Sequence, residues 1–286
     1  MLRRKYLKQL YQLTKHNIII YYSGWLQKPD VDRRIVGITD EDKIGFMTTI
    51  NRLDHTKGLD LILHTPGGDT AATESIVDYL GKMFDKNIRA IVPQLAMSGG
   101  TMIACACKSI LMGKQSSLGP VDPQLNGIPA HGVIEEFNRA REEVKADATK
   151  IPIWHWQPII NKYHPTFIGE CEKSVKWSEQ LVRDWLSAGM FDGDPQAEGK
   201  IKSIIHELTN HALTLSHARH LSSEKCSSLG LKVEKLEDNQ KLQDAVLNVH
   251  HACMLTFSST PATKIIENHN GTAFIKVITQ MLLEAK

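Results

Sequence analysis

Short, nearly continuous apolar runs alternate with segments of helical periodicity from about residue 17 to residue 125. Ile18–Tyr22, Leu59–His64, Ile88–Val92 and Ile110–Met112 read as strands. LDLILH and IRAIVP are apolar at almost every position, the pattern of strands buried on both faces. Between them Ile44, Met47, Ile50 and Leu53 recur at three-residue spacing behind Asp40-Glu41-Asp42, and an acidic first turn complements the positive end of a helix dipole. Ala71–Phe84 and Gly99–Cys107 read as two further helices. Strand and helix alternating in this way implies crossover connections, hence a largely parallel sheet covered by helices.

Beyond this region the pattern changes. Residues 113–130 (GKQSSLGPVDPQLNGIPA) concentrate Gly, Pro, Ser and Asn and read as an irregular crossing. Charged helices are predicted over 131–149 and 166–188, another near 197–217, and a short strand within Leu229–Leu236. Residues 240–286 read as helical with a break around Ser258–Pro261. The apolar spacing at 240–257 and 273–284 suits faces that meet neighbouring subunits of a homo-oligomer. The chain thus divides into an N-terminal helix (1–16), an α/β core (17–238) and a C-terminal helical extension (239–286).

Composition narrows the class. A hydrophobic fraction of 42% and a charged fraction of 23% are near the globular average and exclude a disordered, collagenous or coiled-coil chain. A net charge of +2 is too balanced for binding nucleic acid through bulk electrostatics. The N-terminus begins basic, as a signal peptide does, but the apolar run Ile18–Tyr22 is too short and lacks a small-residue cleavage site. No stretch approaches the roughly 18 apolar residues of a membrane span. The five cysteines are odd in number and scattered, which suits a reducing cytoplasm better than a disulfide framework. Cys105 and Cys107, two apart on a helix, point to different sides and suit small buried positions rather than a metal. The sequence is therefore read as that of a cytoplasmic protein with no integral membrane segment.

Two turns carry candidate chemistry, each at the C-terminal end of a predicted parallel strand, where open α/β sheets place their ligands. His64-Thr65-Pro66-Gly67-Gly68-Asp69-Thr70 has paired glycines, which let the backbone bend sharply and leave N–H groups uncovered for an anionic oxygen. Ala96-Met97-Ser98-Gly99-Gly100-Thr101 places a serine where an N-cap is usual. An N-cap does not need two glycines after it; a nucleophile does, if substrate is to pass close above it and the next N–H is to face an oxyanion. Neighbouring parallel strands would hold the two turns side by side.

The order strand-TPGGD-helix, AMSGGT-helix-ILMG, SSLGPVD resembles the fold shared by Clp protease, signal peptide peptidase A and the crotonases. Within it the chain is most similar to the serine dehydrogenase proteinase family, through YYSGWLQ, DLILHTPGGDTAATESIVDYL, IRAIVPQLAMSGGTMIACACKSILMGKQSSLGPVDPQ and KYHPTFIGECEKSVKWSE, over roughly residues 17–255. The resemblance implies a Clp/crotonase-like superhelix of ββα units. It also implies a Ser98 nucleophile and an oxyanion hole from the backbone N–H groups of Gly67 or Gly68 and of Gly99.

The proton acceptor is less directly implied. The Clp histidine follows its nucleophile by about two dozen residues, which here falls in Gly119-Pro120-Val121-Asp122-Pro123, with no histidine. The lysine element of signal peptide peptidase A has its counterpart in Asn161-Lys162-Tyr163-His164-Pro165, which makes His164 the favoured base and Lys162 the second choice, ahead of Lys150 or Lys176. A neutral imidazole accepts a proton readily at neutral pH, whereas an amine must first be desolvated. His217 and His220, three apart, lack a nearby third ligand and argue little for a metal. His250-His251 and Trp154-His155-Trp156 suit packing or an interface. The resemblance thus points to a cofactor-free serine endopeptidase acting on peptide or protein substrates as a homo-oligomer. The alternatives are a crotonase-type thioester enzyme and a non-catalytic scaffold of the same fold.

Overall fold

The computed structural model describes residues 2–125, 127–146, 151–209 and 219–278. The chain opens with helix α1 (Leu2–Thr14), strand β1 (Asn17–Ser23), a single helical turn α2 (Arg33–Val36), helix α3 (Glu41–Ile50) and strand β2 (Leu59–His64). Helix α4 (Thr70–Phe84), strands β3 (Ile88–Val92) and β4 (Leu95–Ala96), helix α5 (Gly99–Cys105), and strands β5 (Ser109–Met112) and β6 (Ser117–Leu118) follow. An arm comes next: the small hairpin β7 (Gln124–Leu125) and β8 (Ile128–Pro129), then helices α6 (Ala130–Ala146), α7 (Ile151–Ile160) and α8 (Phe167–Ala188). The chain continues through α9 (Ala197–Thr209), β9 (Leu221–Ser222), α10 (Ser223–Ser228) and β10 (Val233–Lys235) to the long α11 (Gln240–Ser259). Strands β11 (Ala262–Asn268) and β12 (Ala273–Val277) complete the described chain.

A seven-stranded sheet runs β10-β5-β3-β2-β1-β11-β12. Its strands from β10 to β1 are mutually parallel; β11 runs antiparallel to β1 and β12 antiparallel to β11. Every residue of β1 and β2 is buried, because both sheet faces are covered. Ile19, Leu61, Ala90 and Ile110 point to one face, with Ile76, Leu80, Ile103, Val182 and Ile204 packed on it. Ile18, Ile20, Ile62, Ile91 and Leu111 point to the other, against Leu7 and Leu10 of α1 and Val246, Val249 and Phe257 of α11. Burial of each such side chain is worth about 1.5–3 kcal/mol, and the alternation between two covered faces is why these strands read as unbroken apolar runs. A small sheet β4-β6-β9 stands beside the main one, so that β3, β4 and α5 form a ββα unit of the Clp/crotonase-like fold.

The helix expected behind Asp40-Glu41-Asp42 is α3, in which the buried residues are Asp42, Gly45, Phe46, Thr49 and Ile50, while Ile44 and Met47 face outward. A β-carbon on Gly45 would stand 2.4 Å from Ile266 Cδ1, so the helix turns its small residue, not its regularly spaced large ones, toward β11. Residues 262–268 and 273–277, expected as helix, are strands: Ile19 to Ser23 pair with Asn268 to Lys264, and the buried Glu267 is paired by Arg3 and Arg4 of α1. Polar residues at Lys264, Glu267 and Asn268, all buried, break the apolar run that would have marked a strand. Of the apolar positions of α11, Ala245, Val246, Val249, Ala252, Cys253 and Phe257 are buried in the core, while Leu255 is exposed. Residues 210–217 of the helix expected near 197–217, and 279–284 of that expected over 273–284, lie outside the described residues, as do Lys150 and His217.

The expected charged helices match α6 and α8. A third helix, α7, carries the tryptophan pair: Trp156 is buried with its Nε1–H donated to Glu143 Oε2 at 2.7 Å, whereas Trp154 is 71% exposed. All five cysteines are buried free thiols. Among the described residues no helix is long and apolar enough to cross a membrane.

Candidate active site

The two glycine-bearing turns meet beyond the C-terminal ends of β2 and β3. Thr65 forms a bridge with Ala96: its N–H donates to Leu95 O at 3.1 Å, and its carbonyl accepts from Met97 N–H at 3.0 Å. Thr101, one turn into α5, donates its buried hydroxyl toward Ala96 O and Gly119 O, both at 2.9 Å. The short strand, the helix start and the loop after β6 are thereby tied together around Ser98.

Ser98 has φ 50° and ψ −112°, a conformation that L-residues rarely adopt and that carries strain of about 1–3 kcal/mol. It occupies the N-cap position of α5, yet its side chain makes no capping hydrogen bond. The hydroxyl is therefore left at a sharp strand-to-helix turn without the structural work a serine usually does there.

Gly67 and Gly68 approach this residue from the other turn. Gly67 has φ +90°, which favours glycine, and its N–H donates to Thr65 Oγ1 at 3.2 Å. Gly68 bridges Ile38 in parallel fashion: Ile38 N–H donates to Gly67 O at 2.8 Å and Asp69 N–H to Ile38 O at 2.9 Å. In a parallel bridge of this kind the flanking residues face the partner strand, so Gly68's own N–H points to the opposite side. That side holds Gly99, on which a β-carbon would stand 3.6 Å from Gly68 N. Among the described residues nothing accepts the N–H of Gly68 or of Gly99. Of the three glycines expected to supply oxyanion donors, Gly68 and Gly99 thus keep N–H groups without an acceptor among the described residues, while the N–H of Gly67 is taken by Thr65.

Ser98 opens into a cleft of about 610 Å³. Trp25, Val36, Leu95 and Met97 give it apolar wall, Trp177 reaches in from α8, and the exposed Arg33 lies at its side. The expected bases are elsewhere. Lys162 and His164 are exposed between α7 and α8, where His164 Nδ1 lies 3.0 Å from Thr166 Oγ1, and neither lines this cleft. The cleft does contain His220 and the buried carboxyl group of Asp122.

Register explains how His220 arrives there. Ala96 pairs with Leu118 in parallel and Leu118 with Leu221 antiparallel. Leaving that sheet in one direction, β4 reaches Ser98, β6 reaches Asp122 and β9, traversed backwards, reaches His220. Sequence reasoning missed this because β4, β6 and β9 are two residues each, too short for any periodicity; the sole legible signal was an imidazole beside the helix start Ser222-Ser223. His217, its potential metal partner, is outside the described residues, and among those described no group of three or more His, Cys, Asp or Glu is placed to hold a metal ion.

Comparison with known proteins adds the following. The sequence profile of ClpP-like SDH-type serine proteinases matches residues 31–249. Two curated relatives, both from Methanocaldococcus jannaschii, are similar: uncharacterized protein MJ1495 is 33% identical over 196 residues, 68% of this chain and 59% of the relative. Uncharacterized protein MJ0137 is 32% identical over 197 residues, 69% of this chain and 60% of the relative. The chain therefore spans about three fifths of the length of these curated relatives. No solved structure matches it.

Proposed function

Because the chain belongs to the family of ClpP-like SDH-type serine proteinases, we propose that it hydrolyses peptide bonds in peptide or protein substrates through Ser98. The observation that carries this reading is Ser98 itself: strained, unused as a cap, and lining a cleft beside two N–H groups that have no acceptor among the described residues. In the proposed reaction the Ser98 hydroxyl attacks the scissile carbonyl carbon. Gly68 and Gly99 N–H groups stabilise the oxyanion, and the serine proton passes to a base and then to the leaving amine. Water then releases the acyl group by the reverse proton path.

His220 is the base favoured by the cleft, with Asp122 on the adjoining loop suited to orient an imidazole. His164 and Lys162 remain the candidates suggested by family resemblance, and each would need to be carried to the cleft from the arm. The homo-oligomeric, cytoplasmic state suggested by the sequence belongs to the same reading.

A fluorophosphonate probe, which labels an activated serine, tests the proposal. Labelling and cleavage of fluorescent casein are expected in the wild-type chain and lost in Ser98→Ala with the fold intact. Casein cleavage by Ser98→Ala at the wild-type rate would overturn the proposal. A wild-type chain that takes no probe and cleaves nothing would favour a crotonase-type enzyme or a scaffold instead.

A further inference from the structure

Lys264 lies in the middle of β11 with its ammonium group completely shielded from solvent. A buried cation needs full hydrogen-bonding compensation, and this one has three acceptors: both oxygens of Asp42 at 2.8 Å and the carbonyl of Gly37 at 2.6 Å. Asp42 is equally buried and equally committed. It accepts from the Tyr21 hydroxyl at 2.7 Å and from Thr39 N–H at 2.9 Å. Replacing a buried ion pair by apolar side chains of similar volume is often neutral or stabilising, so stability alone gives little reason for this one.

Its position offers a reason. The two backbone groups it fixes, Gly37 C=O and Thr39 N–H, flank Ile38 on either side. Ile38 is the residue that bridges Gly68 through both its N–H and its carbonyl. The fit is tight, since a β-carbon on Gly68 would stand 2.1 Å from Ile38 N and one on Gly37 would stand 3.3 Å from Gly67 O. Ile38 N–H holds Gly67 O, and that carbonyl shares a planar peptide with the Gly68 N–H, so a displacement of the 37–39 segment is expected to turn the Gly68 peptide.

We infer that Lys264 and Asp42 are positioning residues for the oxyanion hole, clamping Gly37 to Thr39 so that Ile38 aims the Gly68 N–H at the acyl oxygen above Ser98. The inference rests on the peptidase reading given above. Neither residue touches substrate; the clamp acts through Ile38. It also gives β11 a role beyond the core, as a strand from the far end of the chain that reaches behind the site.

The test compares wild type with Lys264→Met, which keeps the aliphatic stem, and with Tyr21→Phe, which removes a single hydroxyl from the network. Lys264→Met is expected to lower kcat roughly 10–100-fold, less than the 10²–10³ of deleting an oxyanion donor, with KM changed less than about twofold. Amide hydrogen exchange at Ile38 and Asp69 should accelerate, while Leu61 and Ile62 in the centre of the sheet keep wild-type protection. Tyr21→Phe should show the same signature at roughly 2–10-fold in kcat. A folded Lys264→Met enzyme with wild-type kcat would overturn the inference, as would loss of protection at Leu61 and Ile62 in parallel with Ile38. Should Lys264→Met fail to fold, Tyr21→Phe decides by the same criteria. A wild-type chain without Ser98-dependent hydrolysis overturns the peptidase reading and this inference with it; Ser98-dependent wild-type activity alongside a full-rate positioning variant overturns this inference alone.

Discussion

Gly67 faces Ser98 so closely that a β-carbon on the glycine would stand 2.7 Å from the serine's Cβ and 3.0 Å from Gly99 N. Gly67→Ala must therefore displace either Ser98 or the Gly99 amide beside it, and it does so at a φ of +90° that alanine resists. Turnover is expected to fall on the order of 10²–10³, as for removal of an oxyanion donor. Gly99→Val should do the same, because its β-carbon would meet Thr73 Oγ1 at 2.9 Å and Ile38 Cδ1 at 3.0 Å. Steady-state kinetics on a fluorogenic peptide check both, and full-rate hydrolysis by either variant would contradict the geometry.

The base is decided by three single substitutions. All three side chains are exposed, but only His220 lines the cleft, so His220→Ala is expected to cost about 10²–10⁴ in kcat/KM, and Lys162→Ala and His164→Ala less than about threefold. The reverse ranking, measured on the same peptide, would move the proton acceptor to the arm and require it to close over Ser98.

How far the sequence discloses this arrangement depends on how each residue is buried. Strands β1, β2 and β3 are legible because their side chains meet apolar partners on both faces, so burial and apolar character coincide. In β11 they do not coincide: Lys264 and Glu267 are fully buried, one by Asp42 and one by Arg3 and Arg4, and no local pattern records a charge that is neutralised from more than 200 positions away. The turns at Gly67 and Ser98 are legible from the paired glycines that close approach requires. The entry of His220 is not, since it depends on the register of strands two residues long.

Two imidazoles packed behind the Thr65–Gly68 turn make stability depend on pH. His64 is wholly buried, with ring centroids 4.3 Å from Trp25, 5.4 Å from Tyr22 and 5.3 Å from His250. Burial, and then the neighbouring His250, hold its pKa well below the usual imidazole range; burial, and then His251, lower that of His250 to about 4. Both rings are thus neutral in the fold and take up protons on unfolding. For His250 this contribution is present above about pH 6.5 and is lost as pH falls from there toward 4, about 2 kcal/mol of it by pH 5, and His64 acts in the same direction. Urea unfolding at pH 7, 6 and 5 should show the decline, and His250→Leu should flatten it. Equal slopes in the two proteins would refute the assignment.

Assembly is tested on the arm rather than on the C-terminal segment, since the apolar positions of α11 are largely spent in the core. Ile128 of β8, Ile153 and Trp154 of α7 and Trp177 of α8 are the exposed large apolar side chains among the described residues there. Light scattering is expected to give a multiple of 32.1 kDa at micromolar concentration, and Trp154→Lys to lower it. A wild-type mass of 32.1 kDa across that range would refute the homo-oligomer.

The antiparallel insertion of β11 beside β1 bears on the order in which the protein is made. Every residue placed in the cleft, from Trp25 to His220, has been synthesised before Lys264 is added. A nascent chain that has just completed α11 already carries Ser98, Gly68 and Gly99, but Asp42 still lacks Lys264 as its cation and Gly37 its tether. On the reading proposed above, the clamp behind Ile38 is completed only when β11 pairs with β1. Unfinished chains, released early from the ribosome among other nascent proteins, would hold the parts of a peptidase without a properly aimed oxyanion hole.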